Sequence, residues 1–325
     1  MNQQARAVRP THDVVVVGSV NADLLTRVEQ HPAPGETVAG RTLSVLPGGK
    51  GANQAVAAAR LGARTALVGA VGTDGFAEPA LAGLRAAGVD LGALAVHAGP
   101  TGLALVTVAD DGENTIVVVP GANARVDAAA VAGHADLVAR AAVVLVQGEI
   151  PRSGTERAAA ATTGRLVVNL APVVDVDPAV LLRADPLVVN EHEGPQVLAA
   201  LRRATSGTTS APAPEPAPPG APGASEGDVV DGLVAQGVPS VVLTLGGRGA
   251  IVATRAGRVH VPAPRVPVVD TTGAGDAFVG ALARLLADGR DLVAATEVAV
   301  RAGAFAVGRE GAQPSFPSAT DLLAP

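Results

Sequence analysis

The chain's pattern predicts an α/β fold: a mostly parallel central sheet between two helical layers, with a small β lid. Three observations carry this. The runs Val14–Val17, Ala66–Val68, Val143–Val146, Leu166–Leu170, Leu187–Val189 and Val241–Leu245 are apolar throughout, as strands buried on both faces are. Ala-rich helical stretches lie between several of them, including Asn53–Leu61, Pro79–Ala87 and Gly154–Thr162. Two regions then break the rhythm. Thr101–Ala109 and Thr115–Val119 flank Asp110–Asn114, a hairpin signal. Ala22–Leu46 lacks helical periodicity and carries Pro32, Pro34 and Gly35. These excursions read as lid segments near 19–46 and 99–120, with ordinary surface hairpins as the alternative.

Composition narrows the class. The chain has 325 residues and is 48% apolar, yet it has no Trp or Tyr and only four Phe. Val, Leu and Ala must therefore build the core, which is large enough for one domain spanning 12–320. Residues 1–11 read as a frayed tail, and the Pro/Ala-rich stretch 204–227 as a disordered insertion within the domain. A net charge of −6 without any basic run argues against nucleic-acid or membrane partners. The absence of cysteine excludes disulfides and thiolate chemistry. The six histidines show no zinc-ligand spacing. Val14–Val17 is too short for a signal segment, so a cytoplasmic protein is expected.

Four clusters carry possible chemistry. Asp270-Thr-Thr-Gly-Ala-Gly-Asp276 leads into the helical run Ala277–Leu286. Gly273 and Gly275 let backbone N–H groups converge, and the helix start adds a positive dipole end. Together they form an anion hole for a transferring phosphoryl group. Asp276, in the first turn beside it, is placed to take a proton from a hydroxyl nucleophile. The plainer alternative is a capped helix start in which Asp276 only complements the dipole.

The second cluster, Pro47–Gln54, looks superficially like a phosphate-binding P-loop. Ser44 stands where that motif needs its first Gly, however, and Gly51 where Ser or Thr should hold magnesium. Its glycines suit close approach of a small polar ligand, with Asn53 reaching back. Lys50 is the chain's one lysine beside 23 arginines, which marks a position that wants a compact ammonium. Third, Gly18–Asp23 follows the first strand without a dinucleotide fingerprint. Asn21 and Asp23 face the same way if extended and can hydrogen-bond a polyol, or they form a plain turn. Fourth, Asn190–Glu193 and Thr244–Gly249 follow strands, at the edge where open α/β sheets bind ligands. Asn190 and Glu193 suit magnesium-bound water.

In this order along the chain, these residues resemble the ribokinase-like carbohydrate kinase family, from about Val14 to Pro317 apart from the Pro-rich stretch. Gly48–Leu61 and Val269–Phe278 are similar to its two signatures. Ser19–Asp23, Gly48–Gly62 and Gly311–Ser315 are most similar to its ribose-acting branch. The resemblance implies the family's three-layer fold and ATP-dependent phosphorylation of D-ribose at its 5-hydroxyl. It makes Asp276 the base and Gly273, Ala274 and Gly275 the anion hole. Sugar contacts are implied for Asn21, Ala22, Asp23, Gly49, Lys50, Gly51, Ala52, Asn53 and Glu149. Asn190, Thr244, Leu245, Gly246, Gly247, Arg248, Gly249 and Gly275 are implied for ATP. The resemblance also implies that Val300 lies near adenine, where the family often has a polar residue.

The resemblance also implies Mg2+ on Glu193 through water. It implies K+ held by Asp270, by carbonyls of Thr272, Ala306, Arg309 and Gly311, and by Ser315. A homodimer through the lid completes the expectation. Fructose, deoxyribose or a nucleoside is the alternative acceptor, and a non-catalytic sugar-binding regulator the remoter reading.

Overall fold

The computed structural model describes residues 10–206 and 225–322. Most of the Pro/Ala-rich stretch and of the N-terminal tail thus lies outside the described residues. Of the stretch read as 204–227, residues 204–206 and 226–227 are helical.

Nine strands form the main sheet in the order β13 (Gly257–Val261), β12 (Ala250–Thr254), β11 (Ser240–Thr244), β10 (Leu187–Asn190), β9 (Arg165–Asn169), β8 (Ala141–Gln147), β1 (His12–Val17), β4 (Thr65–Val71) and β5 (Leu94–Val96). All neighbours run parallel except β11 with β12 and β12 with β13. The expected mostly parallel sheet is present. From β1 the chain winds one way to β4 and β5, then crosses back to β8 and winds the other way. The reversal leaves a crevice between the carboxyl ends of β1 and β8, where sheets of this kind bind ligands.

Strand side chains alternate between two cores. Val14, Val16, Leu67, Val143 and Leu145 face one helical layer. It comprises α1 (Lys50–Arg60), α2 (Ala77–Ala86), α9 (Ala274–Ala287), α10 (Leu292–Ala306) and α11 (Ala319–Leu322). Val15, Val17, Val144, Val146 and Leu166 face the other. There lie α3 (Ala128–Ala132), α4 (Ala135–Ala139), α5 (Arg152–Ala161), α6 (Pro178–Leu181), α7 (Glu193–Ser206) and α8 (Glu226–Ala235). This double burial is why the strands are apolar without interruption.

A second sheet of four strands stands beside the crevice, in the order β3 (Thr42–Gly48), β2 (Asn21–Arg27), β6 (Gly102–Val108) and β7 (Asn114–Val119). Asp23, Leu25, Leu46, Ala104, Val106, Ile116 and Val118 share its inner face.

One close contact positions the chemistry. Helix α9 lies against α1 at Gly280, where a Cβ would come within 2.6 Å of the Gln54 carbonyl and 2.5 Å of the Ala57 Cβ. Only glycine lets the backbones approach this far. Asp276 is one turn before Gly280, so the contact carries its carboxylate onto Asn53 and Gln54.

In an open helix, Gly→Ala stabilises by roughly 0.5–1 kcal/mol. At position 280 the sign should reverse. Gly280→Ala is expected to destabilise by roughly 1–3 kcal/mol, as overpacking does, read as a lower urea midpoint.

Candidate active site

Gly49, with φ of +86°, turns the chain into α1. The first amides of that helix are all taken: Lys50 N–H donates to Glu149 Oε2 at 3.0 Å, Gly51 N–H to Ser19 Oγ at 3.2 Å and Ala52 N–H to the Ser19 carbonyl at 2.8 Å. Ser19 Oγ in turn donates to Glu149 Oε2 at 2.6 Å. Residues just past β1 and β8 thus close the N-terminus of α1 across the crevice.

The N-terminus of α9 is different. Gly273 turns into it at φ of +73°, and a side chain there would strike Ala312 at 2.7 Å. Ala274 N–H donates back to the Thr271 carbonyl at 3.2 Å. The amides of Gly275 and Asp276 follow, where a helix offers no internal acceptor. A Cβ on Gly275 would meet nothing within 4 Å, and that open side faces a cavity.

Asp276 is only 7% exposed. Asn53 Nδ2 donates to its Oδ2 at 2.9 Å and Gln54 Nε2 to its Oδ1 at 2.8 Å. It borders two cavities. The larger, about 1180 Å³, is lined by Asn21, Asp23, Gly49, Lys50, Asn53 and Glu149, by the inner face of the four-stranded sheet, and by Val268–Gly273. The smaller, about 140 Å³, is lined by Asn169, Asn190, Thr244, Gly275 and Val279. Lys50, Glu193, Gly273 and Asp276 line both.

The polar ends of the larger cavity are oriented. Asn123 accepts from Val20 N–H at 2.9 Å and donates to the Val20 carbonyl and to Asn21 Oδ1. With Oδ1 occupied, Asn21 presents its Nδ2 donor. Asp23, two residues on, is an acceptor on the same face, and its Oδ1 is buried without a protein partner. A Cβ on Gly48 would sit 2.1 Å from the Asp23 carboxylate, so glycine makes room for it. Burial first, then the charges of Glu149 and Asp276, push the Asp23 carboxyl up to about 7. Lys50 is held firmly protonated, above its ordinary range, chiefly by the Asp276 charge.

Asn190 and Glu193 pair reciprocally at the start of α7. Asn190 Oδ1 accepts from His192 and Glu193 N–H, and Glu193 Oε2 accepts from Asn190 N–H at 2.9 Å. Burial raises the Glu193 carboxyl. One carboxylate facing both cavities fits a magnesium ion that keeps most of its water. Asp270 accepts from Thr272 N–H and Gly311 N–H, each at 2.8 Å, tying together two turns with oxygen-rich backbones. Burial raises its carboxyl, but hydrogen bonds from Thr272 and Gly311 outweigh that and hold it low. This oxygen-only neighbourhood suits a hard monovalent cation. α10 ends at Ala306, whose carbonyl accepts from Arg309 N–H in the turn that follows, and Ser315 Oγ donates to the Ala312 carbonyl.

Other expected site residues line neither cavity. Strand alternation turns Ala22 away from Asn21 and Asp23 into the core, and Ala52 is buried on α1. The amides of Gly51 and Ala52 are spent on Ser19. Leu245 and Val300 are core side chains that line neither cavity. Gly246, Gly247 and Gly249 also lie outside both, and Arg248 pairs with Glu191 and Glu226 at the surface. Of that run only Thr244 reaches the small cavity.

Conversely, the structure brings Ser19, Gln54, Asn123, Gln147, Asn169 and Gln313, to which the sequence motifs assign no role, into the hydrogen bonding around the site. A faint signal existed: Gln147 and Asn169 are lone amides ending apolar strands.

A buried acid between a polar recess and a small pocket at a helix start is an arrangement that suits phosphoryl transfer to a hydroxyl compound. The chain belongs to the pfkB family of carbohydrate kinases, whose model matches residues 11–319, and it is an ATP-dependent sugar kinase. It is 34% identical over 322 residues to a ribokinase of Schizosaccharomyces pombe, covering 95% of this chain and 96% of that one. The crystal structure of a Thermotoga maritima ribokinase superposes with a TM-score of 0.83 at 29% identity, covering 96% of this chain and 98% of that one. An Arabidopsis thaliana ribokinase complexed with ribose and ATP superposes at 0.79, also at 29% identity, over 97% and 98% of the two chains. No helix among the described residues is long and apolar enough to cross a membrane.

The Asp23 carboxyl yields a stability prediction. A carboxyl raised to about 7 stabilises the fold fully below its unfolded pKa near ~4, and loses that contribution as pH rises through 7. The difference is at most about 4 kcal/mol. Asp23→Asn should therefore raise the Tm of the ligand-free protein at pH 8 by several degrees, and leave it little changed at pH 4. Melting curves from pH 4 to 8 check this, and a constant offset across the range would refute it.

Proposed function

We propose that this chain phosphorylates D-ribose at its primary 5-hydroxyl, with ATP as donor and Asp276 as the base. The observation that carries the reading is the carboxylate of Asp276 at the border of the two cavities, beside the open amides of Gly275 and Asp276. Ribose occupies the inner end of the larger cavity. The Asn21 amide and the Asp23 carboxylate address its hydroxyls as donor and acceptor, with Glu149, Gly49 and Lys50 around them.

ATP enters from the side of Asn190 and Thr244, with its γ-phosphate toward the smaller cavity. The acceptor hydroxyl gives its proton to Asp276 as its oxygen bonds to phosphorus, in line with departure of ADP. A positioned base of this kind contributes typically ~10²–10⁴ in rate. The Gly275 and Asp276 amides receive the charge that builds on the phosphoryl oxygens, with Gly273 setting the turn. Each such donor is typically worth ~3–4 kcal/mol. The Lys50 ammonium, between the cavities, offsets the same charge.

Mg2+, held through water by Glu193, would neutralise the β- and γ-phosphates. K+ at Asp270, Thr272 and Gly311, near Ala306, Arg309 and Ser315, would stiffen the turn that forms the hole. The four-stranded sheet acts as a lid. Its outer row Val45, Leu24, Leu105 and Val117 runs from strand to strand, and Val45, Leu105 and Val117 are exposed. A second copy covering that row gives a homodimer.

A second reading keeps the mechanism and changes the acceptor. The larger cavity far exceeds a pentose, and its outer part is apolar through Leu25, Val106, Ile116, Val118 and Ile150. That part suits a base attached to the sugar, as in a nucleoside.

ADP release over ribose, deoxyribose, fructose and adenosine, with Mg2+ and K+ present, tests both. Strong turnover on ribose alone is the expected result. Preference for adenosine would install the second reading, and sugar affinity without ADP release would favour a binding role. Asp276→Asn should fold, bind sugar and lose nearly all turnover. More than about a tenth of wild-type kcat would remove Asp276 from the base role.

A further inference from the structure

A carboxylate plane is weakly set by its own torsion, because sp³–sp² wells are broad. At Asp276 it is set from outside. Gln54 is fully buried and lines neither cavity, and the same holds for Gln147. Gln147 Nε2 donates to Gln54 Oε1 at 2.6 Å. Gln54 Nε2 donates to Asp276 Oδ1 at 2.8 Å and to Asn169 Oδ1 at 2.9 Å. Asn169 Nδ2 donates to the Val188 carbonyl at 3.1 Å. A backbone carbonyl and an ionised carboxylate only accept, so both ends of the chain are fixed. The Gln54 amide has one orientation that satisfies them. Gly18 is part of this arrangement, since a Cβ there would lie 2.1 Å from Gln147 Oε1.

Asn53, the other donor to Asp276, is aligned by Gln313 Nε2 on its Oδ1 at 2.9 Å. It faces the larger cavity, however, and can turn toward a ligand. Gln54 cannot.

We infer that Gln147 and Gln54 are positioning residues for the base. They touch no substrate. By keeping an N–H against Asp276 Oδ1 they fix the carboxylate plane and leave its outward lone pairs to receive the hydroxyl proton. The inference rests on the base role proposed for Asp276.

Gln147→Glu tests it with almost no change of shape. An ionised carboxylate at position 147 cannot donate to Gln54 Oε1. The Gln54 amide then turns to donate to it and aims Oε1 at Asp276 Oδ1. On the best acceptor, kcat should fall about 10- to 100-fold at pH 8 while the acceptor KM changes less than about threefold, as loss of base alignment requires. The deficit should shrink at lower pH, where the new carboxyl gains a proton and can donate.

Gln147→Met removes the donor without forcing the amide to turn, and should keep at least about tenfold more kcat than Gln147→Glu. Equal losses in the two variants would mean a merely structural role and overturn the inference.

A cycle independent of turnover separates the two readings. An amide at position 276 can rotate to donate to a turned Gln54. The Tm drop caused by Gln147→Glu at pH 8 should therefore be at least about halved in the Asp276→Asn background, as coupled neighbours behave. Additive drops would overturn the inference, whereas an active Asp276→Asn enzyme would overturn the base role alone.

Discussion

The approach of α9 to α1 at Gly280 is the constraint on which the rest of the site depends. Without a Cβ at that position the helix backbones come close enough for Asn53 and Gln54, on consecutive positions of α1, to reach both oxygens of Asp276. Both helices belong to one layer, and the apolar strand faces of the main sheet fix where that layer lies. The sheet thus determines the carboxylate position only through this glycine contact. A carboxylate could be placed at a helix start anywhere on the surface. Its burial at 7% exposure, with amides on two sides, needs the second helix.

The two helix starts beside the crevice have opposite fates, and the difference lies in their neighbours. Glu149 and Ser19 consume the leading amides of α1. That helix end is therefore closed to anions, although its sequence, Gly-Gly-Lys-Gly, looks the more suited to phosphate. At α9 the Ala274 amide turns back on Thr271, and the next two, of Gly275 and Asp276, have no protein acceptor among the described residues. Charge follows the same division. Asp276, Glu149 and Glu193 surround one ammonium, Lys50, which Asp276 first, then Glu149 and Glu193, hold protonated against the effect of burial. A compact cation among carboxylates at the border of two cavities is a reason for a single lysine in a chain otherwise supplied with arginine.

The fold and the acid were legible in the sequence because their signals are local. Strands buried on both faces must be apolar throughout, and Asp270–Asp276 carries its turn, its helix start and its carboxylate within seven residues. Asn21 and Asp23 were legible for a similar reason, since a period of two places them on one face. The same rule, applied strictly, would have turned Ala22 away. What stayed hidden was assembled from distant segments: Gln147 meets Gln54 across 93 positions and Gln313 meets Asn53 across 260. No spacing rule connects such pairs. Leu245 entered the expectation as part of the strand-exit run Thr244–Gly249 and Val300 by likeness to the family; both side chains are buried in the core.

Under the proposed roles, Asp23 and Asp276 show what separates a recognition carboxylate from a reacting one. Both carboxyls line the larger cavity. Asp276 has an amide on each oxygen, so its geometry is set before any ligand arrives. Asp23 keeps one oxygen without a protein partner, and burial together with two nearby negative charges lifts its carboxyl to about 7. A group left short of partners in the empty protein is stabilised by whatever hydroxyl completes it, so part of its burial cost returns on binding. An acid that must accept a proton at one defined moment has no use for that freedom. The protein therefore spends buried amides on Asp276 and none on Asp23 Oδ1, and this asymmetry, more than the identity of either residue, distinguishes their proposed roles.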